Sequence, residues 1–170
     1  PAKTRGVGYE RRNLLKAARL LREAGYKIED GLIVNKENGQ PFSIDFLMVS
    51  VYLERSLMPY VYNLKRLGID TRIRTVEASQ YINRLGKFDF EGIIRTYSQT
   101  LTPGMELQGF WGSAAANRKY GRNSAGIENP VVDFLIEKVI GARSRNELIT
   151  ASHALDRVML WNFYAIPGYF

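Results

Sequence analysis

Cysteine is absent from the 170 residues, which removes disulfides, thiolate metal sites and cysteine nucleophiles. Histidine occurs once, as His153, so no histidine pair can hold zinc and no second histidine can build a catalytic relay. No apolar run reaches the ~20 residues that a membrane-crossing helix needs. A glycine-rich phosphate loop is missing as well, because Gly6-Val7-Gly8 lacks a third glycine and follows no strand. No nucleophile elbow and no calcium loop occurs. Asp89 and Glu91, on one face of an expected strand, come nearest to an acid/base pair. Alternating strand polarity explains them more simply. These absences argue against an enzyme and against a metal or cofactor.

What the chain does have is enough apolar material for a core: 45% hydrophobic and 12% aromatic residues, in a length that suits a single domain spanning residues 1–170. The formal charge of +7 permits an acidic partner, although the Lys and Arg residues are scattered.

The organising stretch runs from Pro41 to Gln99 and reads strand, helix, strand, helix, strand. Phe42, Ile44, Phe46 and Met48 alternate with Ser43 and Asp45, and Leu47 and Val49 make the strand apolar on both faces. Leu53, Leu57, Val61, Leu64 and Leu67 stripe the following helix, which contains Pro59 and closes at Gly68. A strand from Ile69 to Glu77, a short helix through SQYINRLG and a third strand through KFDFEGIIRTYSQ complete the unit. Strands separated by helical crossovers imply a parallel sheet, with ligand beyond the carboxyl ends of its strands. The fold class is therefore α/β, an open, mostly parallel sheet flanked by helices.

A helix from Tyr9 precedes this unit, with Leu14, Ala17, Ala18 and Leu21 on one face and Arg12, Lys16 and Arg19 on another. Asn38-Gly39 predicts a hairpin turn placing Gly31–Val34 against Phe42–Val49. At the other end Asn129-Pro130 and the capping box Ser144–Glu147 open the two helices of a C-terminal hairpin. Ala165 onward reads as the beginning of another strand. Both ends suggest a piece of a longer protein.

Residues 96–128 lack periodicity yet contain Phe110, Trp111 and Tyr120, which fits a binding loop with a short helix near Glu106–Trp111. Tyr97, Ser98 and Gln99 bring hydroxyl and amide groups to the end of the third strand. Trp111 offers a flat wall, and Arg95, Arg122 and Asn123 offer donors for carboxylates or carbonyls. Composition leaves open whether Trp111 and Tyr97 line a site or fill a core beneath the loop.

Taken in order, AARLLREAGYKIEDGLIV, ERSLMPYVYNLKRLGIDTRIRTVEASQYINRLGKFDFEGIIRTYSQTLTPG, GFWGSAAA, RNSAGIENPVVDFLIEKVI and the closing IPGYF carry a family resemblance. From about Asn13 to Phe170 the chain resembles the carboxyl-terminal lobe of family-five extracellular solute-binding proteins, the peptide receptors of ABC importers. The branch it is most similar to is the oligopeptide and microcin-C type. The resemblance implies a periplasmic-binding-protein type 2 lobe, a peptide-like ligand held in an interlobe cleft, a second lobe, and a transporter permease as partner. It also implies a periplasmic location, with an export signal on the longer parent. Oligopeptide-binding members anchor the peptide amino terminus on an aspartate after the third strand. Gln99 stands near that place and Thr96 near a frequent tryptophan, so a free amino terminus is not expected to be the main handle, and Arg95 with the stretch Arg118–Asn123 favours negative charge. The alternative is a basic α/β module binding nucleic acid through Arg12, Lys16, Arg19, Arg72 and Arg74.

Overall fold

A computed structural model describes residues 10–168. The polar lead-in, with Gly6-Val7-Gly8 and Tyr9, lies outside them, as do Tyr169 and Phe170. The described chain forms two compact units: residues 10–81 with Asp89–Ile94, and Ile82–Phe88 with residues 95–168.

In the first unit α1 (Arg11–Glu23) turns its Leu14, Ala17, Ala18 and Leu21 stripe inward to half-burial. It ends at Gly25, whose φ of 90° is the left-handed conformation that glycine adopts without strain. Strands β1 (Tyr26–Glu29) and β2 (Leu32–Asn35) then pair antiparallel. Asp30 and Gly31 join them as a two-residue turn with φ of 49° and 81°, the paired positive angles of a primed hairpin turn. The sequence had pointed instead to Asn38-Gly39. The chain does reverse there, since the Asn35 N–H donates to the Gln40 carbonyl at 2.9 Å and Val34 bridges Pro41. Beyond that bridge the expected pairing fails, because β3 (Ser43–Met48) is claimed by a different sheet.

That sheet has the order β4-β3-β5, with β3 parallel to both neighbours. Helix α2 (Val51–Arg66) is capped by the Ser50 hydroxyl, which accepts from the Tyr52 N–H at 3.3 Å. Its Leu57, Val61 and Leu64 pack with Phe46, Met48 and Ile69 into the core of this unit. β4 (Asp70–Thr75) sends Arg72 and Arg74 outward, but both are paired, with Asp70 and Asp45 respectively. After α3 (Ala78–Gly86), the third strand is much shorter than KFDFEGIIRTYSQ suggested: β5 is Gly92–Ile93 alone. Two causes are visible. Phe88 adopts a φ of 55°, so residues 87–88 finish the turn out of α3. Below Gly92 a side chain replaces the ladder, where the Glu91 carboxylate accepts from the Asp45 N–H at 2.5 Å. Glu91 thereby holds the backbone of β3. Gly92 lies directly across from Phe46, and a Cβ there would come within 2.5 Å of that ring.

The second unit is helical. α4 (Glu106–Trp111) and a 3-10 turn (Ser113–Ala115) lead to α5 (Pro130–Ile140) and α6 (Arg145–Trp161), the expected hairpin. Asn129 caps α5 by accepting from the Val131 N–H at 2.9 Å, and Ser144 caps α6 by accepting from Glu147 at 3.2 Å. Leu107, Ile127, Val132, Ile136, Val139, Leu148 and Leu155 form its core. Residues 165–168 are irregular, not the strand the sequence suggested.

Gly68 ties the first unit together. Its φ is 85°, its carbonyl accepts from Ile33 N–H at 2.8 Å, and an added Cβ would sit 2.9 Å from the Gly31 carbonyl oxygen. Gly68→Ala therefore combines left-handed strain with a backbone clash that no side-chain rotation relieves. It should lower unfolding free energy by about 2 kcal/mol in urea titration. An unchanged midpoint would show that the β1–β2 hairpin yields freely.

Candidate ligand-binding site

The chain leaves β5 as an irregular segment, and there Arg95, Tyr97 and Gln99 meet α4 and α6 of the second unit. Together they line a cavity of about 360 Å³. Leu107 and Trp111 come from α4, while Ser152, Leu155, Asp156 and Met159 come from one face of α6. Residues 165–168 contribute to the rim.

Tyr97 is fixed by aromatic packing. Its ring centroid is 4.3 Å from that of Trp111 and 5.1 Å from that of Phe110, the latter edge to face. Phe110 is 1% exposed and so serves as a rigid floor. The exposed Arg122 guanidinium lies on the same ring, 4.1 Å from its centroid. Burial raises the Tyr97 phenol pKa above 10.0, opposed by the charges of Arg95 and Arg122 and by a hydrogen bond with Ser124. The phenol thus stays protonated at neutral pH, able both to donate and to accept.

The seven expected site residues separate into three groups. Arg95, Tyr97, Gln99 and Trp111 share the cavity. Ser98 is exposed, and Arg122 stacks on Phe110 and acts on the Tyr97 phenol through its charge; neither lines the cavity. Asn123 has a different role. It is 0% exposed, its amide donates to the Gly112 and Ile127 carbonyls at 3.0 Å each, and its oxygen accepts from the Ile127 N–H at 3.0 Å. With those groups spent on backbone, Asn123 holds the loop and is left out of the ligand set. His153 is exposed on α6.

Asp156, Ser152, Met159 and Pro103 also line the cavity and were not among the expected site residues. The signal was available, since 152, 155, 156 and 159 share a helix face, but such a stripe reads equally as core. Trp111 in fact does both: it packs on the core of the second unit and faces the cavity.

No family model matches the chain. Among solved structures, the oligopeptide-binding protein AppA of Bacillus subtilis in complex with a nonapeptide superposes with a TM-score of 0.75 at 20% identity, over 96% of this chain and 34% of that one. A periplasmic oligopeptide-binding protein of an ABC transporter from Thermotoga maritima, with mannohexaose bound, gives 0.78 at 20% identity over 91% and 30%. The chain accordingly has the fold of part of an oligopeptide-binding protein, as the family-five resemblance implied. Among sequences, it is 48% identical over 161 residues to the probable peptide-binding protein YejA of Agrobacterium fabrum, covering 95% of this chain and 26% of that relative's length. The two are homologous, and this chain spans about a quarter of that relative's length. These relatives are named as binding proteins, and none of them supports the nucleic-acid alternative.

Two outcomes follow from this geometry. Asn123→Ala strands one N–H and two carbonyls in a dry interior and should cost about 3 kcal/mol of stability in urea titration. For Tyr97 the folded state holds the phenol proton more tightly than the unfolded chain, so its contribution is complete below pH 10.0 and is lost as pH rises through the raised folded value. Tyr97→Phe should flatten the fall in urea midpoint between about pH 8 and about pH 11; identical slopes in both proteins would place the alkaline loss elsewhere.

Proposed function

We propose that the chain is a ligand-binding segment of a peptide-type receptor that serves an ABC importer, and that the receptor acts outside the cytoplasmic membrane. The observation that carries this reading is the convergence of Arg95, Tyr97, Gln99 and Trp111 on one cavity. Hydroxyl, amide and guanidinium groups stand there against aromatic walls, the mix that recognises peptide backbone and polar termini while excluding water. Homology to proteins named for peptide binding supplies the ligand class.

In this reading the chain contributes to one lobe, and the rest of the receptor supplies a second lobe that closes over the ligand. Closure buries the peptide on both sides, and the closed complex is the form a transporter permease accepts. The chain works by binding, without bond making or breaking.

Calorimetric titration of the chain, and of the longer protein containing it, with a mixture of short peptides tests the proposal. The chain should bind weakly and the longer protein at least about tenfold more tightly, because half the contacts and the closure are missing from the chain. Equal affinities would count against a cleft that closes.

A further inference from the structure

Helix α1 half-buries one face and leaves the other uncovered. The exposed side carries Arg11, Arg12, Lys16, Arg19 and Arg22, and Leu15 and Leu20 stand among them, 62% and 49% exposed. Glu23 is the one acid within the helix. It meets Arg19 at 3.3 Å, an exposed pair one turn apart that holds Arg19 only weakly. Glu10, just before the first turn, accepts from the Asn13 amide at 3.3 Å. At the other end the Lys36 ammonium donates to the Arg22 carbonyl at 3.4 Å and adds a further cation. Among the described residues, no hydrogen bond or ion pair engages the head groups of Arg11, Arg12 or Lys16. The strand arginines Arg72 and Arg74, by contrast, are both in ion pairs. The thirteen residues of α1 thus present a cationic line about 20 Å long. No aromatic ring lies on the helix for a base to stack on. The apolar atoms between its cations are leucine, which an interfacial helix presses toward acyl chains.

We propose that the exposed face of α1 docks on the surface of an anionic phospholipid membrane, with head-group phosphates on Arg12, Lys16 and Arg19 and with Leu15 pressed toward the acyl boundary. Charge complementarity selects this partner, because a basic helix face attracts an anionic leaflet through each cation that comes within a Debye length of it. Two leucines bury too little apolar area to anchor a protein, so the attachment is weak, reversible and sensitive to salt. It keeps the protein at a membrane without fixing it there. The inference stands on α1 alone and goes beyond the peptide-binding reading, whose cavity it does not use.

The test is co-sedimentation of the chain with vesicles of phosphatidylcholine alone and of phosphatidylcholine with about one-third phosphatidylglycerol. Partition onto the anionic vesicles should be at least about tenfold higher at low salt and should fall as salt rises. The triple variant Arg12→Gln, Lys16→Gln, Arg19→Gln should fall to the level of phosphatidylcholine alone. Glutamine is a good helix former and all three positions are exposed, so the far-ultraviolet spectrum should not change. A second triple variant, Lys87→Gln, Arg143→Gln, Arg157→Gln, removes equal charge from exposed positions of the second unit and should bind as the parent does. Leu15→Gln should weaken partition about fivefold and leave its salt dependence in place. Equal partition onto both kinds of vesicle would overturn the proposal. So would equal losses in the two triple variants, which would reduce the effect to net charge, or a Leu15→Gln protein that partitions as the parent does. Displacement from the vesicles by millimolar glycerol phosphate would overturn it in favour of a site for free phosphate. Tighter binding of a single-stranded oligonucleotide than of the anionic vesicles, lost in the α1 variant, would overturn it in favour of nucleic acid.

Discussion

The cavity depends on one aromatic contact. Tyr97 belongs to a segment with no regular structure, and what fixes it is the ring of Trp111 at 4.3 Å and that of Phe110 at 5.1 Å. Those two rings are adjacent residues of a six-residue helix too short to be stable alone. α4 in turn is anchored through Leu107 and Phe110, both buried. The order of causation runs from the core of the second unit to α4, from α4 to Tyr97, and from Tyr97 to the neighbours it positions. Aromatic side chains suit this task because each has few rotatable bonds and a large area to bury.

The first unit rests on a comparable constraint, met with glycine. Gly68 admits the β1–β2 hairpin to hydrogen-bonding distance of the α2–β4 connection, and Gly92 admits the Phe46 ring over β5. At Gly68 the backbone itself would obstruct a side chain, whereas at Gly92 the obstacle is an aromatic ring covering a strand position with no side chain of its own. Phe46 can therefore reach Tyr60 of α2, at a centroid distance of 6.2 Å, while shielding the shortest strand of the sheet.

Where apolar residues recur with a clean period, the fold was legible: the stripe of α2, the alternation in β3 and the caps at Asn129 and Ser144 all correspond to elements found. The failures share a cause. β1 is Tyr-Lys-Ile-Glu with Ile28 66% exposed, so its pairing leaves no hydrophobic trace, and the Asp30-Gly31 turn was overlooked in favour of Asn38-Gly39. The third strand was overextended because alternation in Phe88, Phe90 and Ile94 says nothing about how far a partner extends. β3 ends at Met48, and only Gly92 and Ile93 find a neighbour. Around the cavity, Arg95, Tyr97 and Gln99 lie close together in sequence, whereas Asp156 is distant in sequence and arrives through the packing of α6. Asn123 shows the converse error: an amide in a polar loop reads as a ligand donor until its three backbone partners are known.

That error points to how the loop is built. A long connection carries many backbone groups that no ladder satisfies, and each one buried without a partner costs stability. Here side chains from within the second unit meet the need. Asn123 spans Gly112 and Ile127, Asp133 accepts from the Ser113 N–H at 2.8 Å, Glu106 accepts from Gly104 at 3.0 Å, and Arg145 donates to the Leu101 carbonyl at 3.0 Å. The Ser113 hydroxyl accepts from Asn129, whose amide donates to Tyr164 at 2.9 Å. These polar side chains are committed to architecture, and substituting them should damage the fold before it touches any ligand. Among the described residues, no hydrogen bond commits Arg95, Gln99 or Asp156 in this way, and all three line the cavity. A loop whose backbone is satisfied by one set of side chains can leave another set uncompensated without collapsing around it.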